Sequence, residues 1–433
     1  MSTLGESPLA AGERQLSVAQ ARAAIAAALR PITDTQDVAL AQALGRVLAA
    51  DVVSPIDVPA HDNSAMDGFA FDGAALGGGG VGGVGSLGEI TRLRVVGTLM
   101  AGAPYEGLVA RGECLRIMTG AVMPAGLDTV VPLELCRAQG DAVLIEPGVL
   151  RGGENRRRRG EDLTAGLPAL RRGRRLRPAD LGLIASLGIA RVSVLRPLRV
   201  AMFSTGDELR TPGQVLDPGC VYDSNRYSLL GALQRLGLEV LDLGLVPDDR
   251  AALQATLEAA VAQADVVLTS GGVSMGDADH TREVLAAMGE VGFWKVAMRP
   301  GRPFAFGALH RPGGQPASWL FALPGNPVAA LVGFYVFARD ALLQLAGAAP
   351  EPLPVLQARC TSAIRKRPGR SEFQRAVVEP TPLGPWQVRL TGSQGAGVLR
   401  SMSEANALLV LGHDQGSVAA GDLVDVWLFD GLV

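Results

Sequence analysis

Two aspartates, Asp277 and Asp279, stand directly after a glycine-rich segment, Ser270-Gly271-Gly272-Val273-Ser274-Met275-Gly276. Val266-Val267-Leu268 before it suits a buried parallel strand, and a helical pattern follows from Thr281. A loop between a strand end and a helix start turns backbone N–H groups toward an anion. Two carboxylates beside a phosphate-sized site suit a divalent cation bridging them. The same glycines equally suit an ordinary tight turn, because lone glycine-rich loops are common.

Other polar clusters raise the same question. In His61-Asp62-Asn63-Ser64-Ala65-Met66-Asp67-Gly68 the side chains of Asp62, Asn63, Ser64 and Asp67 are acceptors too polar for a core strand. A turn capped by Asx side chains reads the same way. Thr119, before Gly120, is a turn hydroxyl or a ligand contact, and spacing does not choose. Arg156 to Arg159 leads into Gly160-Glu161-Asp162, and arginines recur from Arg171 to Arg177. A charge run is usually a solvated face, yet the planar guanidinium fork also binds oxyanions. The mixed signs fit a small anion with a metal better than a nucleic-acid track. Arg370, before Ser371-Glu372-Phe373, is a surface charge or a contact reaching a site elsewhere.

The surrounding pattern must position these residues. Residues 17–30 read as an amphipathic helix with Ser17 as N-cap. A second short helix falls near Leu40 to Leu48, and residues 51–59 look extended. Short alternating segments between 92 and 131 predict a small β domain. Gly77 to Gly88 reads as a flexible surface loop with no function assigned. Residues 178–187 form a helical pattern stopped by Gly188.

From 198 onward, apolar strands alternate with helices of ordinary length as far as 345. That pattern predicts a doubly wound parallel sheet. Ligands bind such sheets outside the carboxyl ends of the strands. Thr205-Gly206-Asp207-Glu208, Asp248-Asp249, Ser270 to Asp279, Arg299-Pro300-Gly301-Arg302 and Pro324-Gly325-Asn326 each follow a strand, so one edge should collect them. From Pro350 the segments 355–364, 373–378, 387–390, 407–411 and 423–428 alternate and predict a C-terminal all-β domain.

The whole chain sets limits. Its 433 residues suggest about two to four domains. A formal net charge of -3 gives no global attraction to nucleic acid or membrane. Cys114, Cys136, Cys220 and Cys360 are far apart and form no CxxC pair, which argues against a zinc site and a disulfide framework. No apolar run reaches the ~18 residues of a membrane span. Met1 to Arg14 lacks the apolar stretch of a secretory signal. A reducing cytoplasm is the expected location.

Read together, six stretches resemble the molybdopterin molybdenumtransferase family (MoeA and the E domain of gephyrin). They are Asp62-Asn63-Ser64-Ala65-Met66-Asp67-Gly68, Arg116-Ile117-Met118-Thr119-Gly120-Ala121, Arg157-Arg158-Arg159-Gly160-Glu161-Asp162, Phe203-Ser204-Thr205-Gly206-Asp207-Glu208-Leu209, Ser270-Gly271-Gly272-Val273-Ser274 and Leu323-Pro324-Gly325-Asn326-Pro327-Val328. The likeness runs from about residue 15 to the C-terminus, with the stretches in order. It implies a multidomain α/β plus β fold. An elongated N-terminal domain would take 1–54 and 141–190, with a small β domain inserted at 55–140. A molybdopterin-binding α/β domain around the doubly wound sheet would take 191–348, and a β barrel 349–433.

The resemblance also implies a homodimer, with the site between the α/β domain of one subunit and the N-terminal region of the other. The reaction it implies takes adenylylated molybdopterin and molybdate, releases AMP with Mg²⁺, and leaves molybdenum on the dithiolene. By the same resemblance, Asp248 and Asp279 would hold Mg²⁺, Glu208 is a further site carboxylate, and Lys295 would neutralise pyrophosphate-like charge. Asp67, Thr119 and Asp162 would complete the site across the dimer. Thr205, Gly206, Ser270, Gly271, Gly272, Ser274, Pro324, Gly325 and Asn326 would contact the cofactor. Arg299, Pro300, Gly301, Arg302 and Arg370 would join them, the arginines as candidates for molybdate. The molybdopterin adenylyltransferase and recipient molybdoenzymes are expected partners; nucleic acid and membrane are not.

The chain departs from the family in two places. Arg299 and Arg302 stand where lysines are frequent, which keeps charge but changes hydrogen-bond geometry. Ala396 stands where some members have serine. A scaffold protein without the chemistry, as gephyrin's E domain also serves, is the alternative from another class. The acidic set Asp67, Glu208, Asp248 and Asp279 favours the enzyme. An adenylyltransferase on the same central fold is a third reading, and the N-terminal part and barrel argue against it.

Overall fold

A computed structural model describes residues 14–76, 90–272, 279–311, 317–382 and 384–432, without the side chains of Arg14, Asp279, His280 and Arg282. Ser274, Asp277 and the Gly77 to Gly88 segment lie outside the described residues. The chain divides into two units. One comprises Met1–Ala50, Arg172–Pro178 and Arg191–Val433; the other comprises Asp51–Arg171 and Ala179–Ala190.

In the first unit a sheet runs, edge to edge, through Arg14–Leu16, Gly289–Val296, Pro303–Leu309, Ser318–Leu323, Val266–Ser270, Arg199–Thr205 and Glu239–Val246. Successive strand residues point to opposite faces, and here both faces are apolar. Val200 and Met202 join one core with the helices Val18–Ala28, Asn225–Arg235 and Pro327–Gly333. Ala201 and Phe203 join a second core with Arg250–Gln263 and Asp279–Met288. Helices on both faces explain why these strands read as continuous apolar runs.

The sheet is doubly wound, as expected, and carries one antiparallel strand within its parallel set. Glu239–Val246, Arg199–Thr205, Val266–Ser270 and Ser318–Leu323 are mutually parallel, but Pro303–Leu309 runs antiparallel to both its neighbours. No helical pattern separates Gly289–Val296 from Pro303–Leu309, so the chain reverses through the Arg299–Arg302 turn. Two reversals bring Gly289–Val296 back to the common direction.

Ser17 caps the first helix, and Gln20 completes the capping box by accepting the Ser17 N–H. The helix expected near Leu40 to Leu48 is only a single turn, Leu40–Gln42. Thr35–Ala39 before it pairs antiparallel with Arg191–Leu195, and Gly45 takes a positive φ of 73° after it. Strand pairing therefore overrides local helix propensity. Pro327–Leu345 is long and apolar enough by composition to cross a membrane, a feature the run-length reading missed because Arg339 and Asp340 interrupt it. Its most apolar window is 78% buried inside the protein, so it is a core helix.

The C-terminal strands close a barrel: Ser371–Glu379, Gln387–Leu390, Leu356–Cys360, Leu423–Leu428 and Ala407–Leu411, which pairs back onto the first. Closure removes the sheet edges. Ala358, Val378, Leu409 and Val426 fill its interior, while Phe373 and Leu408 pack outward on the core beneath the helices. Met298–Arg299 adds in parallel to Ser371–Glu372 and ties the barrel to the sheet's rim.

The second unit holds a sheet ordered Thr129–Pro132, Gly68–Phe71, Glu113–Ile117, Thr91–Leu99, Ala142–Ile145 and Cys136–Gln139. Phe71, Val131 and Val143 occupy one face, and Ala70, Leu115 and Val130 the other.

Candidate functional site

The parallel strands of the first unit end side by side, and their loops are stitched together by backbone. Gly271 donates its N–H to the Leu323 carbonyl at 3.0 Å. A Cβ on Gly271 would lie 2.2 Å from the Thr205 carbonyl oxygen, so only glycine lets these two loops touch. A Cβ on Gly206 would meet the Glu208 carboxylate at 2.7 Å, where that side chain folds back over the turn. Asp248 donates its N–H to Asp207 Oδ1 at 3.3 Å, joining the loops after Arg199–Thr205 and Glu239–Val246. A Cβ on Gly325 would lie 4.0 Å from the Gly271 Cα, so these two loops also run close together. The edge thus gathers Thr205, Gly206, Glu208, Asp248, Ser270, Gly271, Gly272, Pro324, Gly325 and Asn326.

This edge carries polar atoms that the fold leaves unpaired. Ser204 Oγ, Thr205 Oγ1, Asp223 Oδ2, Asp248 Oδ1 and Thr281 Oγ1 are buried and have no hydrogen-bond partner among the described residues. Each such atom costs about 1–3 kcal/mol unless something pairs with it. Hydroxyls and carboxylate oxygens grouped in this way are the chemistry of a polar ligand pocket. The unpaired Asp248 oxygen also fits one ligand of a hard cation, which takes one or two carboxylates and completes its shell from phosphate and water. Asp279 opens the helix Asp279–Met288 beside the same edge.

Positive charge rims this edge. Lys295 lies at the carboxyl end of Gly289–Val296, opposite Pro303 and Gln15. Val296 donates to the Arg302 carbonyl at 2.8 Å, which closes the Arg299–Arg302 turn. Gly301 approaches the Ala329 carbonyl in the first turn of Pro327–Gly333: a Cβ there would stand 3.3 Å away, and its φ is +88°. Arg370 precedes the strand that pairs with Met298–Arg299 and donates to the buried Glu372 at 2.9 Å. The barrel reaches the edge as well, since Val328 donates to the Ala396 carbonyl at 3.0 Å. Among the described residues, the loops that carry the first-unit positions named from the sequence follow strand ends on this side of the sheet.

The other three belong to the second unit. Asp67 accepts from both the N–H and the hydroxyl of Thr119, each at 2.7 Å. Those two bonds hold its carboxyl below the usual carboxylate range. Ser64 exchanges backbone bonds with Gly120 and Ala121, and Ala65 donates to the Asn155 carbonyl, so the three sequence stretches of this unit converge. Asp162 sits on the following loop, its N–H bonded to the Val58 carbonyl at 3.0 Å. The arginine run divides its charge locally: Arg156 pairs with Asp62, Arg157 with Glu161 and Arg159 with Asp57.

Sequence reasoning overlooked two residues at the first-unit edge. Asn225 starts a helix and follows no strand of the large sheet, only the short Val221–Tyr222, so a map built on that sheet's strand ends passed over it. Its amide donates to Ser270 Oγ and to the Gly325 carbonyl, each at 2.7 Å. Arg375 lies 1% exposed in a barrel strand. It donates to Ser401 Oγ at 3.0 Å and to the Gly395 carbonyl at 3.1 Å. Burial, with Arg299 nearby, pushes its guanidinium down to about 10. A charge inside Phe373-Gln374-Arg375-Ala376-Val377-Val378 was the available signal.

The family models for the MoeA N-terminal region (domains I and II), a probable molybdopterin binding domain and the MoeA C-terminal region (domain IV) match residues 16–188, 201–344 and 357–429. A molybdopterin molybdenumtransferase of Haemophilus influenzae is 38% identical over 96% of this chain and 100% of its own length. Molybdopterin molybdenumtransferase 2 of Mycobacterium tuberculosis is 37% identical over 92% of this chain and 95% of its own. The crystal structure of the molybdopterin biosynthesis MoeA protein from Pyrococcus horikoshii superposes with a TM-score of 0.80 at 27% identity, covering 96% of this chain and 100% of that one. With all three regions matched in order along nearly its whole length, the chain belongs to the MoeA family of molybdopterin molybdenumtransferases.

Proposed function

We propose that the chain moves molybdenum from molybdate onto adenylylated molybdopterin and releases AMP and molybdenum cofactor. The observation that carries this reading is the coincidence, at one sheet edge, of buried unpaired polar atoms with a rim of lysine and arginines. The first suits a pterin-nucleotide's polar groups, and the second its phosphates and an oxyanion. Hydrolysis of the phosphoanhydride, in which a water oxygen bonds to one phosphorus as the bridging P–O bond breaks, leaves AMP on one side and the phosphate of molybdopterin on the other. Both products are anions, so cations fixed before reaction lower the barrier without reorganising.

Asp248 and Asp279 would hold Mg²⁺, which would supply charge neutralisation at the phosphates. Glu208 would orient the polar end of the substrate. Lys295 would stand against the diphosphate. Arg299, Arg302 and Arg370 would hold molybdate. Thr205, Gly206, Ser270, Gly271, Gly272, Ser274, Pro300, Gly301, Pro324, Gly325 and Asn326 would contact the cofactor through backbone and hydroxyl groups.

The family resemblance supports a homodimer in which Asp67, Thr119 and Asp162 of one subunit complete the site of the other. It also supports division into domains at 1–54 with 141–190, 55–140, 191–348 and 349–433. A cytoplasmic enzyme receiving substrate from the adenylyltransferase and passing product to molybdoenzymes fits the same reading. The test is direct: purified protein, adenylylated molybdopterin, Mg²⁺ and molybdate should release AMP in step with molybdenum uptake. Absence of AMP release from a folded protein would overturn the proposal.

A further inference from the structure

Asn225 is 8% exposed and Ser270 3% exposed, so neither draws on bulk water for its bonds. The Asn225 amide nitrogen donates to the Ser270 hydroxyl oxygen and to the Gly325 carbonyl, both at 2.7 Å. The second bond settles which atom of the amide is nitrogen. A carbonyl oxygen accepts only, and the flipped amide would set two acceptors against each other. Both amide hydrogens are thereby spent. Toward Asn225, Ser270 Oγ is an acceptor, and its own proton must point elsewhere. The hydrogen bonds among the described residues include no acceptor for that proton.

We infer that Asn225 is a positioning residue that fixes Ser270 as a hydrogen-bond donor into the site, toward an acceptor oxygen of the bound substrate. The same amide ties the loop after Val266–Ser270 to the loop after Ser318–Leu323. One side chain thus sets the polarity of the hydroxyl beside these loops. Ser270 sits beside Gly271, which has no room for a side chain of its own, since a Cβ there would lie 2.2 Å from the Thr205 carbonyl oxygen. A hydroxyl free to rotate would spend part of its time as an acceptor, repelling a substrate oxygen. The inference rests on the functional reading above for the identity of the ligand, but not for the direction of the proton.

The experiment is a double-mutant cycle in the full chain with Asn225→Ala, Ser270→Ala and the pair. Molybdopterin affinity is measured by equilibrium dialysis alongside kcat and KM. Each single change should weaken binding about tenfold, with kcat within about threefold. The pair should be no more than about threefold worse than Ser270→Ala alone, because no hydroxyl is left to direct. A hundredfold, multiplicative loss in the pair would overturn the inference, since a merely structural role for Asn225 persists without the hydroxyl. Asn225→Asp, which is isosteric, runs the same cycle if the alanine variant fails to fold. Neutron diffraction of the wild-type protein tests the proton itself. A deuteron on Ser270 pointing into the site supports the inference, and one bonded to Asn225 overturns it. Wild-type protein that binds no molybdopterin would sink the functional reading while leaving the neutron result to decide this one.

Discussion

The strand Val266–Ser270 has two very different ends. At its start, Asp265 accepts from both terminal nitrogens of Arg196, at 2.7 and 2.9 Å, and from the Arg199 N–H at 3.0 Å. Arg311 stands 3.6 Å away, and Arg196 spends its remaining reach on Asp34 at 2.8 Å. At its finish lie the unpaired atoms of Ser204, Thr205, Asp223, Asp248 and Thr281. Burial is similar, but one end is saturated and the other is left wanting partners. The amino end is built for stability. The carboxyl end keeps a cost that only a ligand offsets.

The largest way to break this contrast is at Asp248. Asp248→Asn keeps shape and removes charge at an atom the fold does not use. Turnover should fall by about a hundredfold or more, while the melting temperature stays within a degree or two of wild type. Asp279→Asn should behave alike in the AMP-release assay. Wild-type turnover by either folded variant would remove it from the assigned role.

The opposite outcome is expected at Asp265. Asp265→Ala leaves Arg196 half-buried without its main partner and should cost about 3 kcal/mol in denaturant unfolding, with activity per folded molecule unchanged. Burial raises the Asp265 carboxyl, but the bonds from Arg196 and Arg199 outweigh it, and the net shift is downward. A depressed carboxyl contributes stability above its unfolded value, about 3.9, and loses it as pH falls through the lower folded value. Wild type should therefore weaken below about pH 4, and Asp265→Ala should lose that part of the acid dependence. A variant that loses activity but no stability would abolish the distinction between the two ends.

How much of this was legible in the sequence follows from the same contrast. Strand ends are readable, because apolar runs such as Val266-Val267-Leu268 stop at glycine and polar residues. The edge that gathers Thr205, Asp248, Ser270 and Pro324 was visible for that reason. The barrel was legible strand by strand, though closure depends on a pairing of Ser371–Glu379 with Ala407–Leu411 that no local pattern encodes. Three features escaped. The antiparallel Pro303–Leu309 depends on chain reversal rather than composition. The turn at Leu40–Gln42 carries good helix formers but is captured by strand pairing next to it. Asn225 and Arg375 act through partners distant in sequence, Ser270 and Gly395, so spacing holds no trace of them.

A smaller effect should appear at Thr205, where two consequences carry opposite signs. Thr205→Val keeps the branched shape and deletes an unpaired buried hydroxyl. The ligand-free protein should gain up to about 1 kcal/mol in unfolding free energy. Molybdopterin affinity should fall about tenfold. Stability and binding moving in the same direction would mean that Thr205 Oγ1 has a partner in the free protein and that the edge is not held open there.

The smallest expected effect separates charge from geometry on the rim. At the amino end arginine works as a fork, as the bidentate Arg196–Asp265 pair shows. Arg299 faces a different setting, beside the buried guanidinium of Arg375, which its like charge pushes further down. Like charges near one another favour an anion by their field. A lysine supplies that field as a point charge but not the fork. Arg299→Lys and Arg302→Lys should then shift half-saturation by molybdate by only about two- to fivefold, leaving molybdopterin affinity untouched. A loss beyond about fiftyfold would show that molybdate is gripped in the bidentate manner of the amino end. The two ends of the sheet would then differ in occupancy but not in how their arginines work.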